Sequence, residues 1–380
     1  MDRKKVLSVI FFIITVFILF VGGLGNHKAV VPYLGLALSL ILLATAYFQS
    51  RKLVLPKGSL FFFLVLQVFF LGLLWSLDRE SSLLSFISFL AGGVFWISFY
   101  NIKRDIADKF LHLILILGVL FSVFFVIRSF AGLPFARVFL GEPNLVFPAA
   151  ELLKHNHLGD LWAVVTLITS YLIIFEKKYF YLIFVPVEFF ILSESLSRSA
   201  YLALIFGILY IVYLSGGSTL VSKYKFLLLS VLLFGVFLFL KAAATKDLLL
   251  SRPYFVQAIE GIYKHPFGIG MGNFQKISYE SMQWKKDPMA MSAFAHNIFL
   301  EAASGVGVLV IFFLIWLFVV TRKIFFSRES GIRGRLFKAI FLAISINFLF
   351  DYTYAIPTML WLWFMSMGLA QEQGVLGKES

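Results

Sequence analysis

The 380-residue sequence contains no cysteine. A disulfide framework, a thiolate nucleophile and a cysteine metal site are therefore excluded. Charge is also scarce: Asp, Glu, Lys and Arg make up 14% of residues and apolar residues 61%. A soluble domain carries about a quarter charged residues and under half apolar ones. With a mean hydropathy of +0.93, a soluble globular protein is excluded. The strand-length alternation of a porin-like barrel is missing, and the apolar stretches are long and continuous. There is no soluble domain at either end, no low-complexity tract, no internal repeat and no Asp-x-Asp motif. What remains is an all-α integral membrane protein, with 47 phenylalanines suited to lipid-facing helices. The formal net charge of +13 is therefore a question of membrane sidedness and not a sign of nucleic-acid binding.

Apolar runs lie at about 6–21, 29–48, 59–77, 83–100, 106–127, 158–175, 179–193, 199–214, 226–243, 297–320, 336–350 and 354–370. Most approach the roughly 20 residues that cross a bilayer core, and they predict twelve spans. The first, behind Arg3-Lys4-Lys5, reads as an uncleaved helix, because no small-x-small cleavage site follows it. The run at 179–193 is short and holds Pro186 and Glu188, which makes it the weakest of the set. With Met1 in the cytoplasm, 20 of the 33 Lys and Arg fall on the inner side, and seven of the other 13 lie in one long interval. That bias fits twelve spans with both termini inside. It places the 244–295 loop, between spans nine and ten, on the outer face together with His155-Asn156-His157 and Arg198.

The loop stands out because the rest of the chain is so apolar. It passes Arg252-Pro253-Tyr254, a turn with Gly268, Gly270 and Gly272, and Trp284-Lys285-Lys286, then ends at His296-Asn297-Ile298-Phe299-Leu300-Glu301. A histidine at a helix mouth ordinarily caps or snorkels. Here it closes the long polar interval, with Asn297 and Glu301 just behind it and Gly305 and Gly307 positioned to admit a neighbouring helix. A neutral imidazole there suits the removal of a proton from a hydroxyl. Arg198 sits at an outer helix mouth, where topology alone would not put it. It reads equally as a partner of Glu194, four residues earlier. Arg252, with Arg128 or Arg137, would complete a cationic outer pocket, since guanidinium forks suit phosphate oxygens. His155 and His157 do not face one way on a helix, so no metal site is expected. The glycine turn has the wrong spacing for a dinucleotide fingerprint and reads as a bend. A transporter would show matched polar residues at mid-membrane. Gln67, Glu188 and Asn347 form no such pairs, and the polar residues gather on one side.

Taken together, these motifs resemble the O-antigen ligase and polymerase superfamily of bacterial envelope glycan transferases. Arg198-Ser-Ala-Tyr-Leu202 is similar to the family's Arg-x3-Leu element. His296 and Gly307 fit the His-x10-Gly element of the ligases. Arg252, followed by Pro266-Phe-Gly268-Ile-Gly270, resembles the arginine-bearing loop with its Pro-x-Gly-x-Gly turn. Asn156-His157-Leu-Gly159 is similar to the family's Asn-x-x-Gly element. The resemblance spans nearly the whole chain and implies a GT-C-like fold in the bacterial inner membrane.

The resemblance further implies metal-independent, inverting transfer at the periplasmic face, with no cofactor. The expected donor is a glycan on undecaprenyl pyrophosphate and the expected acceptor a sugar hydroxyl of lipid A–core. Membrane lipids surround the protein, and no nucleic acid is involved. Arg198 and Arg252 would hold the pyrophosphate, and His296 would act on the acceptor hydroxyl. Arg128, Arg137, Asn156, His157, Asn297 and Glu301 would bind substrate. A polymerase extending a lipid-linked glycan, a protein O-oligosaccharyltransferase and a lipid-linked glycan transporter stand as alternatives. The His296–Gly307 spacing favours the ligase.

Overall fold

The computed structural model describes residues 30–102, 109–120, 156–214, 253–281, 291–326 and 332–371, with a few single positions outside these ranges. The regular structure among them is helical. Twelve helices are labelled here in chain order: α1 (Val30–Ser50), α2 (Ser59–Leu71), α3 (Arg79–Asn101), α4 (Asn156–Ile174), α5 (Val185–Ser195), α6 (Arg198–Leu214), α7 (Pro253–Lys264), α8 (Phe274–Glu280), α9 (Ile298–Val306), α10 (Val310–Phe326), α11 (Ile332–Phe350) and α12 (Pro357–Gln371). The labels number helices, not membrane spans. Among the described residues, three helical stretches are long and apolar enough to cross a membrane: Val30–Gln49, Arg79–Asn101 and Ile298–Phe326. Shorter apolar helices include Ser59–Leu74, Leu158–Ile174 and Arg198–Tyr213. Together they make this an α-helical membrane protein. The predicted runs at 6–21 and most of 226–243 lie outside the described residues.

Two helix groups meet along α11 and α12. In one, α3 packs on α1, α2 and α12, and α10 packs on α2 and α12. Aromatic rings fill it: Phe62 meets Trp96 edge-on at 5.6 Å and Trp316 at 5.3 Å, and Phe364 lies parallel to Trp316 at 5.8 Å. Offset and edge-on aromatic pairs supply specific geometry where lipid tails remove most of the hydrophobic drive between helices. In the other group α4 packs on α5, α6 and α11, and α6 on α11. The weakest predicted run resolves into a 3₁₀ stretch, Tyr179–Phe184, followed by α5 with Pro186 in its first turn. Glu188 is buried there and accepts a 2.5 Å hydrogen bond from Thr169 of α4, which joins the two helices.

At one end of the bundle the chain stops being simply apolar. There α3 starts at Asp78, whose Oδ1 accepts from the N–H of Glu80 (3.1 Å) and of Ser81 (3.2 Å). This is the N-cap geometry its side chain favours. The described parts of the predicted outer loop are not extended. They form α7, α8 and the glycine turn, and α7 packs on α8 and α9.

The turn docks into the break between α9 and α10. Ile269 N–H donates to Ser304 (3.0 Å), Gly270 N–H to Gly305 (2.8 Å), and Val308 N–H to Pro266 (2.8 Å). Gly268 and Gly307 have φ of +77° and +58°, and a Cβ on either would strike the opposing backbone. The sequence predicted that Gly305 and Gly307 admit a neighbouring helix. What approaches them is the Pro266–Met271 segment, because a positive φ at Gly307 interrupts the helix and leaves open carbonyls for the turn to bond. On its other side the turn is held by Asn273, whose Nδ2 donates to Ser76 Oγ (2.9 Å) and Ile269 O (2.8 Å), and by Ser82 Oγ donating to Met271 O (2.7 Å).

Candidate functional site

His296 lies just before α9, and the chain around it is fixed on three sides. Asn297 caps the helix: its Oδ1 accepts from Phe299 N–H (2.9 Å) and Leu300 N–H (3.1 Å), and its Nδ2 donates to Leu349 O (3.0 Å). Glu301, one turn on, accepts from Ala295 N–H (2.9 Å) and from the Tyr354 hydroxyl (3.0 Å), both on Oε2. Between these anchors His296 adopts φ +53°. Left-handed backbone is uncommon in a non-glycine residue and persists only where the surroundings impose it. The sequence reading gave Asn297 and Glu301 to substrate. Asn297 is engaged in capping, and Glu301 keeps one oxygen, Oε1, with no hydrogen-bond partner among the described residues.

Two tyrosines enclose the imidazole. Tyr254 of α7 stacks on it at 4.2 Å between ring centres, and Tyr352 meets it edge-on at 4.8 Å. Its Nδ1 stands 3.8 Å from Asp351 Oδ1, an ion-pair distance if the ring is protonated. Asp351 follows α11 and is 1% exposed. Burial and the charges of Asp351 and Asp160 push the Tyr352 hydroxyl well above its ordinary value, so it stays protonated. Tyr354 is pushed up as well, by burial and then by Glu301, and remains a donor to that carboxylate.

Behind Asp351 lies a buried polar cluster. Ser199 Oγ is 3.2 Å from Asp351 Oδ2 and 3.3 Å from Asp160 Oδ1, and Ser197 Oγ donates to Asp160 Oδ1 at 2.9 Å. Asp160, Ser197 and Ser199 are all at most 2% exposed. Asn347 and Thr353 turn toward Asp160. Among the described residues, Asp160 Oδ2, Thr353 Oγ1 and both polar atoms of the Asn347 side chain have no hydrogen-bond partner. Asn347 belongs to this cluster. It lies one turn before Asp351, whose N–H bonds its carbonyl (2.9 Å).

The local sequence explains how α4 and α6 come together here. α5 ends at Leu196 in a left-handed conformation (φ +48°), and α6 starts two residues later at Arg198. Glu194 and Arg198 therefore lie on different helices. The Ser195–Ser197 corner lies directly on Gly159, where a Cβ would collide with Ser195 and Ser197. The Asn-x-x-Gly and Arg-x3-Leu elements thus pack on each other. Arg198 is 8% exposed, and the next residue, Ser199, touches Asp351. Asn156 and His157 open α4. Arg128, Arg137 and Arg252 lie outside the described residues, as do Lys285 and Lys286. Arg252 precedes Tyr254, the residue stacked on His296, by two positions.

Sequence reasoning missed Asp351, Ser199, Tyr254 and Tyr352. Asp351 did leave a signal: it is the one acidic residue between the apolar runs at 336–350 and 354–370. A buried charge at a helix end is a functional candidate on cost alone. Among the described residues no three His, Asp or Glu side chains come together as a metal-binding group.

Next to this cluster is a cavity of about 490 Å³. It lies among α3, α9 and α12 under the glycine turn, and its walls include Ser81, Ser85, Phe89, Phe294, Glu301 and Tyr354. Phe294 also stacks on Tyr352 at 5.1 Å, so one aromatic layer separates the cavity from His296.

No curated protein matches the chain. Residues 182–315 match a protein-family model described as O-antigen ligase. That stretch holds Arg198, the loop helices, the glycine turn and His296 with its capped helix. It leaves out Asp160 and Asp351, which the fold brings to the same place. The enclosed histidine and the buried arginine lie within the matched region, which is similar to the O-antigen ligase family over that stretch.

Proposed function

We propose that the protein is an O-antigen ligase-type glycosyltransferase. It moves a glycan from undecaprenyl pyrophosphate to a sugar hydroxyl of lipid A–core, at the periplasmic face of the inner membrane. The observation that carries this reading is His296 itself: a non-glycine residue held at φ +53°, stacked on Tyr254 and facing a buried carboxylate. In the proposed step His296 takes the proton of the acceptor hydroxyl as its oxygen attacks the anomeric carbon. Asp351 orients the ring and stabilises the imidazolium that forms. The glycan–phosphate bond breaks on the opposite face, which inverts the anomeric centre. Undecaprenyl pyrophosphate leaves with the electron pair.

Arg198, with Arg252, neutralises the departing charge. Its guanidinium gives phosphate oxygens a planar fork, and this is the transition-state stabilisation asked of the protein. Burial of Arg198 strengthens that interaction by lowering the local dielectric. No divalent ion enters this scheme, so chelation should leave the reaction unchanged.

The test uses the purified full chain, an undecaprenyl-pyrophosphate-linked glycan and EDTA. One reaction receives lipid A–core, and the other only lipid-linked glycan. Transfer to lipid A–core supports the ligase. Ladders growing on the carrier would make the protein a polymerase. No product in either reaction would reject the lipid-borne transfer proposed here.

A further inference from the structure

The cavity beside His296 has a chemistry unlike that expected for the donor. Its described lining contains no lysine, arginine or histidine, and it contains one carboxylate, Glu301. A pyrophosphate placed there would meet a negative group and no positive one. Yet the cavity is not simply greasy. Serines 81, 85 and 88 of α3 lie along one wall with Gln275 at the rim, while Phe89 and Phe294 offer flat apolar faces.

Glu301 is the informative residue. It is 5% exposed. Ala295 N–H and the Tyr354 hydroxyl both bond Oε2, and Oε1 has no partner among the described residues. The carboxylate is thus held rigidly with one acceptor oxygen to spare. A hydrocarbon chain filling the cavity would leave that oxygen buried and unsatisfied, which is costly. A pyranose satisfies it: hydroxyls at its edge donate to the carboxylate and exchange bonds with serines, and its C–H face lies against an aromatic ring. A volume of about 490 Å³ falls within the roughly 300–1,000 Å³ of small-ligand sites. Position fits as well. Ala295, the donor to Glu301, is the residue before His296, and Phe294 lines the cavity while stacking on Tyr352.

We propose that this cavity is the acceptor-side sugar subsite and takes an uncharged glycosyl residue, with Glu301 and Ser85 as its specificity-determining groups. The inference rests on the glycan-transfer reading for the word acceptor, and on the cavity's own chemistry for the sugar.

Saturation-transfer NMR on the full chain in nanodiscs tests it, with phosphate-free core oligosaccharide as the probe. The wild type should give sugar signals. Ser85→Phe, which fills the cavity without touching the bonds of Glu301, should weaken apparent affinity at least tenfold, and Glu301→Gln should do the same. Ser85→Ala, which keeps the fold and the space, should lose about threefold. No binding by the wild type overturns the proposal, and so does binding that Ser85→Phe leaves intact. If the wild type transfers glycan while Ser85→Phe binds the probe normally, the subsite fails and the transferase stands. If the wild type binds the probe in a Ser85-dependent way but transfers nothing, the transferase reading fails and the sugar site stands. An increase in the KM for donor instead of acceptor in Ser85→Phe would assign the cavity to the carrier and reject the proposal.

Discussion

Asp351 and Tyr354 are three residues apart in the turn between α11 and α12, yet they face opposite surroundings. Asp351 looks toward α4 and α6, where Ser199 and Asp160 are almost wholly buried and several polar atoms have no hydrogen-bond partner among the described residues. Tyr354 looks toward α3 and α9, where its hydroxyl braces Glu301 at the edge of an open cavity. His296 stands between them, near Asp351 directly and near the cavity through Phe294 and Tyr352. In the proposed mechanism the first side is where charge moves and the second is where substrate is recognised. One short turn holds both in register with the histidine.

The comparison can be broken in several places. The largest effect is expected on the charge side. Arg198→Lys keeps the charge but loses the fork, so kcat should fall by about 10²–10³-fold with little change in the KM for acceptor. A lysine variant near wild-type activity would remove Arg198 from the phosphate. Next, Asp351→Asn and Tyr354→Phe should separate kinetically. Loss of the carboxylate behind the imidazole should lower kcat by roughly 10²-fold. Loss of the tyrosine hydroxyl should raise the KM for acceptor by about tenfold, the scale of one hydrogen bond to a charged group. If both variants change the same parameter, the two sides are not functionally distinct.

A smaller effect concerns the scaffold that both sides share. Gly307→Val places a branched side chain at φ +58° against Pro266. It should cost about 1–3 kcal/mol, read as a lower midpoint of thermal unfolding in detergent, with the glycine turn undocked. The smallest effect is at the start of α3. Asp78→Ala removes the cap and should cost ~1 kcal/mol at neutral pH. Bonds from Ser81 hold the Asp78 carboxyl below its ordinary value. Its contribution is therefore full above the unfolded value and fades as the pH falls through the lower native one. Wild type and variant should converge in acid. A gap that persists there would mean that the aspartate acts by packing.

The two sides were also unequally legible in the sequence. His296 and Arg198 show because each is a polar residue at the edge of a long apolar run. Gly159 shows only as the last residue of an Asn-x-x-Gly element, and its close contact with Ser195 and Ser197 emerges from the packing. Asp160 and Ser199 come together across 39 residues of sequence, and Ser199 and Asp351 across 152. No local pattern carries such pairings, because they depend on how α4, α6 and α11 pack. Glu301 illustrates the same limit. Its position five residues after His296 drew attention, but its partner Tyr354 is 53 residues away, and that bond gives the carboxylate its orientation. The glycine turn was legible as a bend, while its docking into the α9–α10 break was not.

The most direct measurement is of His296→Ala in reconstituted membranes, followed for both donor binding and glycan transfer. The account predicts that the variant remains in the membrane and binds undecaprenyl-pyrophosphate-linked glycan like the wild type. Transfer to lipid A–core should fall by roughly 10³-fold. Transfer within a few-fold of wild type would contradict the assignment of His296 as the base and, with it, the charge-moving role given to the Asp351 side of the turn.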